Sequence, residues 1–114
     1  MDDEVLRLDA RSLAPGQTAT FSIARGGKAL PAFVVNHAGA VHAYVNVCPH
    51  AGNPLDLRAE SLLSPDGQHL VCSVHGAMFA PDTGICVEGP CPGARLERLA
   101  VTRDGGSLVI SIPA

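Results

Sequence analysis

The chain has 114 residues, the size of one domain, and 46% of them are hydrophobic, too many for a disordered segment. A formal charge of −3, with Lys and Arg scattered singly, excludes the basic footprint that a nucleic-acid partner needs. With three Phe, one Tyr and no Trp, the core must come chiefly from Val, Leu, Ile and Ala, and a cross-link between loops would help so small a domain.

The N-terminus, MDDEVLRLDA, is acidic and lacks the apolar stretch of a secretory signal, and no run is long enough to span a bilayer. A soluble cytoplasmic protein with no membrane partner is expected. Next come four short runs rich in Val, Ile, Phe, Tyr or Thr: VLRL (5–8), TATFSI (18–23), PAFVV (31–35) and AVHAYVNV (40–47). The clusters APGQ, RGGK and NHAG separate them as turns, so strands are predicted. In the last run Val41, Ala43, Val45 and Val47 share one face, and His42, Tyr44 and Asn46 share the other.

Gly and Pro then recur between 49 and 93, which reads as loops; only LDLRAESLL (55–63) suggests a single turn or a short helix. The chain closes on LAVTR and LVISI around DGGS, a hairpin signal. The layout predicts one antiparallel β domain over residues 1–114. Its base strands lie in 1–47 and 93–114, and a loop-rich subdomain over about 48–92 sits at one end.

All four cysteines, Cys48, Cys72, Cys86 and Cys91, fall in that middle section. In a cytosolic chain this favours metal binding or redox chemistry over structural disulfides. NVCPHAGNP pairs Cys48 with His50, and LVCSVHGAMF pairs Cys72 with His75. One such pair is weak evidence, since a lone Cys is usually a small buried residue. Two pairs, each after a strand-like run and each followed by glycine (Gly52, Gly76), suggest loops that approach one object. Pro49 stiffens the first loop. Two thiolates and two imidazoles would satisfy tetrahedral zinc. Zinc knuckles, however, usually bring two like ligands each, whereas each loop here brings one of each kind. That suits an object with one thiolate end and one imidazole end, as in a Rieske-type 2Fe–2S cluster.

The pattern C-x-H-x21-C-x2-H-G resembles the binding signature of the Rieske iron–sulfur family. The followers FAPDTG (79–84) and GPCP (89–92) are also similar to that family, and the likeness runs from about residue 5 to 112. The resemblance implies an all-β fold: an antiparallel β-sandwich base with a loop-rich cluster-binding subdomain at one end. It implies one 2Fe–2S cluster, with Cys48 and Cys72 on one iron and His50 and His75 on the other through Nδ1. Two ferric ions, two sulfides and two thiolates sum to a neutral cluster, whereas four thiolates would leave it dianionic. Adding an electron is therefore easier, and the family spans roughly −150 to +300 mV. The potential should fall as pH rises, because the ligand imidazoles hold their remaining N–H more tightly once the iron is reduced.

High-potential members carry an inter-loop disulfide and Ser and Tyr hydroxyls near the cluster. The matching positions hold Asn53, Val74, Ala77 and Phe79, none of which is expected to help, so a potential in the lower half of the range is predicted. The resemblance implies a monomeric, ferredoxin-like one-electron carrier, not an enzyme in its own right. It would take electrons from a reductase and pass them to an oxygenase or reductase. The alternatives are an accessory subunit similar to the small subunit of assimilatory nitrite reductases, and a structural zinc module. Cys86 and Cys91 have no histidine nearby and are expected as free thiols, with a local disulfide as the other choice. The resemblance places Cys91 in a proline-rich loop over the cluster. His37, His42 and His69 read as surface residues.

Overall fold

The computed structural model describes residues 4–49, 52–56, 61–74, 76–90 and 92–112. Its strands follow the β-branched and aromatic runs: β1 (Glu4–Asp9), β2 (Thr18–Arg25), β3 (Lys28–His37), β4 (Ala40–Val45), β5 (Leu70–Val71), β6 (Met78–Phe79), β7 (Cys86–Glu88), β8 (Arg98–Asp104) and β9 (Ser107–Ile112). A single 3-10 turn, Ala10–Ser12, follows β1. Two-residue turns join β2 to β3, β3 to β4 and β8 to β9, as the registers Arg25↔Lys28, His37↔Ala40 and Asp104↔Ser107 require. The middle of these turns has the only described non-glycine residue at positive φ, Ala38 at 53°. It is supported from behind by the Asn36 side chain, whose Oδ1 accepts the Gly39 N–H at 3.0 Å.

The larger sheet has the order β1-β9-β8-β4-β3-β2, and all its pairings are antiparallel. It changes direction at β8. Arg98 and Leu99 pair with β4, while Ala100–Asp104 pair with β9. The two halves close on a core of Leu13, Ile23, Ala32, Val34, Ala43, Val45, Leu99, Leu108, Ile110 and Ile112. Each large aliphatic side chain buried there contributes about 1.5–3 kcal/mol relative to exposure.

Alternation along β3 and β4 then builds a second core on the opposite face. Phe33 and Tyr44 are directly opposed across the strands, with ring centroids 5.7 Å apart. Together with Val35 they pack against Cys48, Leu55, Leu62, Leu70, Cys72, Ala77, Phe79, Cys86 and Leu96. The His42–Tyr44–Asn46 face is therefore covered by the loop region, and Tyr44 is fully buried. The β3–β4 pair is a partition between the base core and the cysteine-bearing loops.

The run AVHAYVNV ends as a strand two residues sooner than its pattern suggests. Asn46 still donates its N–H to the facing Pro31 carbonyl at 2.8 Å, in register with the β3–β4 pairing, but Pro31 has no N–H to return, and Val47 N–H bonds back to Val45 at 2.9 Å. In LDLRAESLL, residues 57–60 lie outside the described residues; Leu55–Asp56 form a turn, and Leu63 bridges to Leu70. The smaller sheet, β5-β6-β7, carries a bulge at Met78–Phe79. Among the described residues no helix is long and apolar enough to cross a membrane.

Candidate metal centre

Cys48 and Cys72 occupy the same place in two turns of the same backbone design. Cys48 N–H donates to the Asn53 carbonyl at 2.7 Å, and Gly52 N–H donates to the Cys48 carbonyl at 2.8 Å. In the second turn Cys72 N–H reaches Ala77 at 2.9 Å, and Gly76 N–H reaches Cys72 at 2.8 Å. Closing a turn in this way puts its fifth residue in the left-handed region, where φ is +76° at Gly52 and +74° at Gly76; a Cβ there would be strained. Within this frame the histidines stand at different steps: His50 two residues after its cysteine, and His75 three after.

Buried polar groups fix the two turns to the partition and to each other. Asn46 is buried; its Oδ1 accepts the Leu55 N–H at 2.8 Å, and its Nδ2 donates to Asp56 Oδ1 at 3.0 Å. The Leu55 carbonyl in turn accepts the Ser73 N–H at 2.7 Å, which ties the first loop to the second. Asn53 makes a second tie. Its carbonyl holds the Cys48 N–H, while its Nδ2 lies 3.8 Å from Cys72 Sγ.

The chain at Gly89 closes in from the side. A Cβ on Gly89 would stand 2.8 Å from the Ala77 Cα, so only glycine allows that segment so close to the second cysteine turn. Cys86 is buried beside it, with its Sγ 3.3 Å from the Glu88 carbonyl.

A third turn completes the loop region. Ala80 N–H bonds Ile85 at 3.0 Å and Gly84 N–H bonds Ala80 at 2.8 Å, repeating the cysteine-turn pattern. The buried Tyr44 hydroxyl donates to the Pro81 carbonyl at 2.7 Å. Burial pushes its pKa up to about 12, so the hydroxyl stays a donor. Arg98 spans the outside, donating to the Asp82 carbonyl at 2.6 Å and contacting His42 Nδ1 at 2.9 Å. Since a guanidinium only donates, His42 is neutral there with its proton on Nε2. Burial, and then the Arg98 charge, lower its pKa.

Of the sequence-predicted ligands, the structure brings Cys48 and Cys72 into one apolar cluster, 1% and 0% exposed. His50 and His75 lie outside the described residues, as does Cys91. Among the described residues no three His, Cys, Asp or Glu side chains gather as a metal site. The described donors fit a thiolate-ligated iron: two buried cysteines on adjoining turns, in one apolar cluster with Leu55, Leu62 and Phe79, and linked by Asn53 through the Cys48 N–H and the Cys72 Sγ. Two expectations need correction. Asn53 does offer a polar group toward a cysteine sulfur; proximity across two loops decides this, and spacing along the chain carries no sign of it. His42 and His69 are half-buried and not free surface residues; His42 is held by Arg98, and His69 Nδ1 is buried without a described hydrogen-bond partner. Ala77 and Phe79 lie within the buried apolar cluster around the cysteines, and Val74 packs against it.

The family model described as Rieske [2Fe-2S] domain matches residues 4–109. Among solved structures, the chain is similar to the ferredoxin of carbazole 1,9a-dioxygenase from Nocardioides aromaticivorans IC177, with TM-score 0.71 and 23% identity over 96% of this chain and 98% of that one. It is also similar to the terminal oxygenase of carbazole 1,9a-dioxygenase from Novosphingobium sp. KA1, with TM-score 0.80 and 15% identity. That match takes in 99% of this chain but 31% of the oxygenase. A complex of reduced oxygenase and oxidized ferredoxin of carbazole 1,9a-dioxygenase matches with TM-score 0.73 and 23% identity, over 94% and 92% of the two chains. No curated protein matches the chain in sequence.

Proposed function

The chain belongs to the Rieske 2Fe–2S domain family and binds one 2Fe–2S cluster, and we propose that it is a one-electron carrier, the ferredoxin component of an oxygenase system. The observation that carries this reading is the pair of buried cysteines on matching, adjoining turns. In this reading Cys48 and Cys72 hold one iron and His50 and His75 hold the other. When bound, the cluster supplies reversible uptake of one electron.

The residues around the site keep it in place and dry. Leu55, Leu62, Leu70 and Phe79 exclude water from the sulfurs. Asn46 and the Leu55–Ser73 bond keep the two turns in register, so little reorganisation accompanies a change of charge. No side chain is assigned a catalytic role. Val74, Ala77 and Phe79 offer no hydroxyl, which supports a potential in the lower half of the family range. The near full-length likeness to a dioxygenase ferredoxin supports an oxygenase as electron acceptor. A reductase donor, a monomeric state and a cytoplasmic location complete the proposal. So does a division of the chain into a base of residues 1–47 and 93–114 and a cluster-binding part over about 48–92.

The test is an absorption spectrum of the purified protein before and after dithionite, with EPR of the reduced form. A red-brown protein that bleaches to a rhombic signal, with average g below the free-electron value, is the expected result. A colourless protein carrying one zinc after anaerobic iron–sulfide reconstitution would overturn it.

A further inference from the structure

Asn53 touches both cysteines. Its main chain belongs to the first turn, where its carbonyl takes the Cys48 N–H at 2.7 Å. Its side chain crosses to the second turn. One Nδ2 hydrogen goes to the Pro54 carbonyl at 2.7 Å, and the other is left for Cys72 Sγ at 3.8 Å, a reach consistent with the large radius of sulfur. An amide nitrogen has two hydrogens, so the contacts do not compete. Pro54 also disfavours helical backbone at the residue before it, which limits how far Asn53 can swing. The site is half-buried, so the dipole is only partly screened by water.

We propose that Asn53 is a positioning residue that clasps the two cysteine turns and, through an N–H···S contact to Cys72, sets the reduction potential of the centre. The proposal rests on the reading of Cys72 as an iron ligand. A donor on a ligating sulfur withdraws charge, and the reduced state, one charge more negative, gains more from it than the oxidised state. Asn53 therefore raises the potential above the value that apolar neighbours alone would give. The neighbours Val74, Ala77 and Phe79 have no side-chain hydrogen-bond donors, so the amide is their polar counterpart on the first loop.

The test compares Asn53→Ala, Asn53→Asp and Asn53→Gln with the wild type by redox titration and resonance Raman spectroscopy. Loss of the donor should shift the potential negative in Asn53→Ala. In Asn53→Asp, where a carboxylate replaces it, the shift should be larger, and Asn53→Gln should recover part of it. The iron–cysteine stretching bands should move upward in the same order, which loosening of a loop alone would not produce. Cluster-loaded Ala and Asp variants with the wild-type potential and bands would overturn the proposal. Cys72→Ser separates the two levels. If it still carries the wild-type cluster, the ligand reading fails and this inference with it; if it loses the cluster while the Asn53 variants titrate unchanged, only the inference fails. Should the variants not hold a cluster, wild-type protein labelled with 15N-asparagine decides by pulsed EPR. Asn36 and Asn46 direct their amides to Leu13 and Asp56, so a 15N coupling reports Asn53. Its presence supports the clasp and its absence overturns it.

Discussion

In the turns at Cys48, Cys72 and Ala80, the first residue's carbonyl accepts a glycine N–H four residues on, at 2.8 Å each time. In each, the first residue's own N–H closes the turn five residues on. The glycines have φ of +76°, +74° and +74°. Yet two of these turns carry thiols into the loop core, and the third carries a methyl group and is fastened to the base through Tyr44. The backbone that presents the cysteines is thus ordinary turn chemistry, and in the proposed reading it is the side chain at the first position that sets two copies apart as iron-binding turns.

Exchanging that side chain should have the largest effect. Cys72→Ser or Cys48→Ser should abolish visible absorption in the purified protein, while Ala80→Ser should leave the spectrum intact. Equal loss in all three would mean that the turns matter as scaffolding and not for their thiols.

Next in size are the glycines. A Cβ at Gly84 would meet Tyr44 Cε1 at 2.7 Å in addition to the strained φ, whereas no described atom lies within 4 Å of one at Gly52 or Gly76. Gly84→Ala should cost roughly 2–5 kcal/mol in urea unfolding of the loaded protein, and Gly52→Ala and Gly76→Ala only about 1–2 kcal/mol. Equal costs would show that Tyr44 moves aside.

The tie of the third turn to the base is tested by Tyr44→Phe, which leaves the buried Pro81 carbonyl without the hydroxyl. The expected loss is roughly 1–3 kcal/mol with an unchanged visible spectrum. The folded pKa is about 12 against an ordinary 10, so this contribution is complete below pH 10 and is lost as pH rises from 10 toward 12. The variant should lack that alkaline decline.

The smallest effect is expected at the outer rim. His42 has a folded pKa below its ordinary 6.5, because of burial and then Arg98; Asp82 acts the other way and His37 adds to the lowering. Its contribution is complete above pH 6.5 and declines as the pH falls below that value. His42→Gln should flatten this acid limb in thermal melts at successive pH values, and a limb of unchanged slope would place its origin elsewhere.

Much of this was legible in the sequence. The strands of the base follow alternation and turn residues, because a β-branched run between Gly, Asn and Asp has few other stable conformations. The cysteine positions were legible too, since each follows a strand-like run and precedes a glycine that the turn requires. Other features were not. Asn46 reads as one more polar residue of a strand, yet its side chain is buried and holds Leu55 and Asp56 of the first loop. His42 reads as surface, yet Arg98 lies 56 positions away in the chain and beside it in space.

The strands of the larger sheet, the pairing of cysteine with histidine and the glycines that close the turns can be read from the chain alone, because they depend on neighbours within a few residues. That both faces of β3 and β4 are buried, that the third turn copies the cysteine turns, and that Asn53 reaches Cys72 become visible only in the folded chain. Those facts depend on which segments meet after the chain closes on itself, and hydrogen bonds across a gap of 19 residues or more leave no local pattern to read.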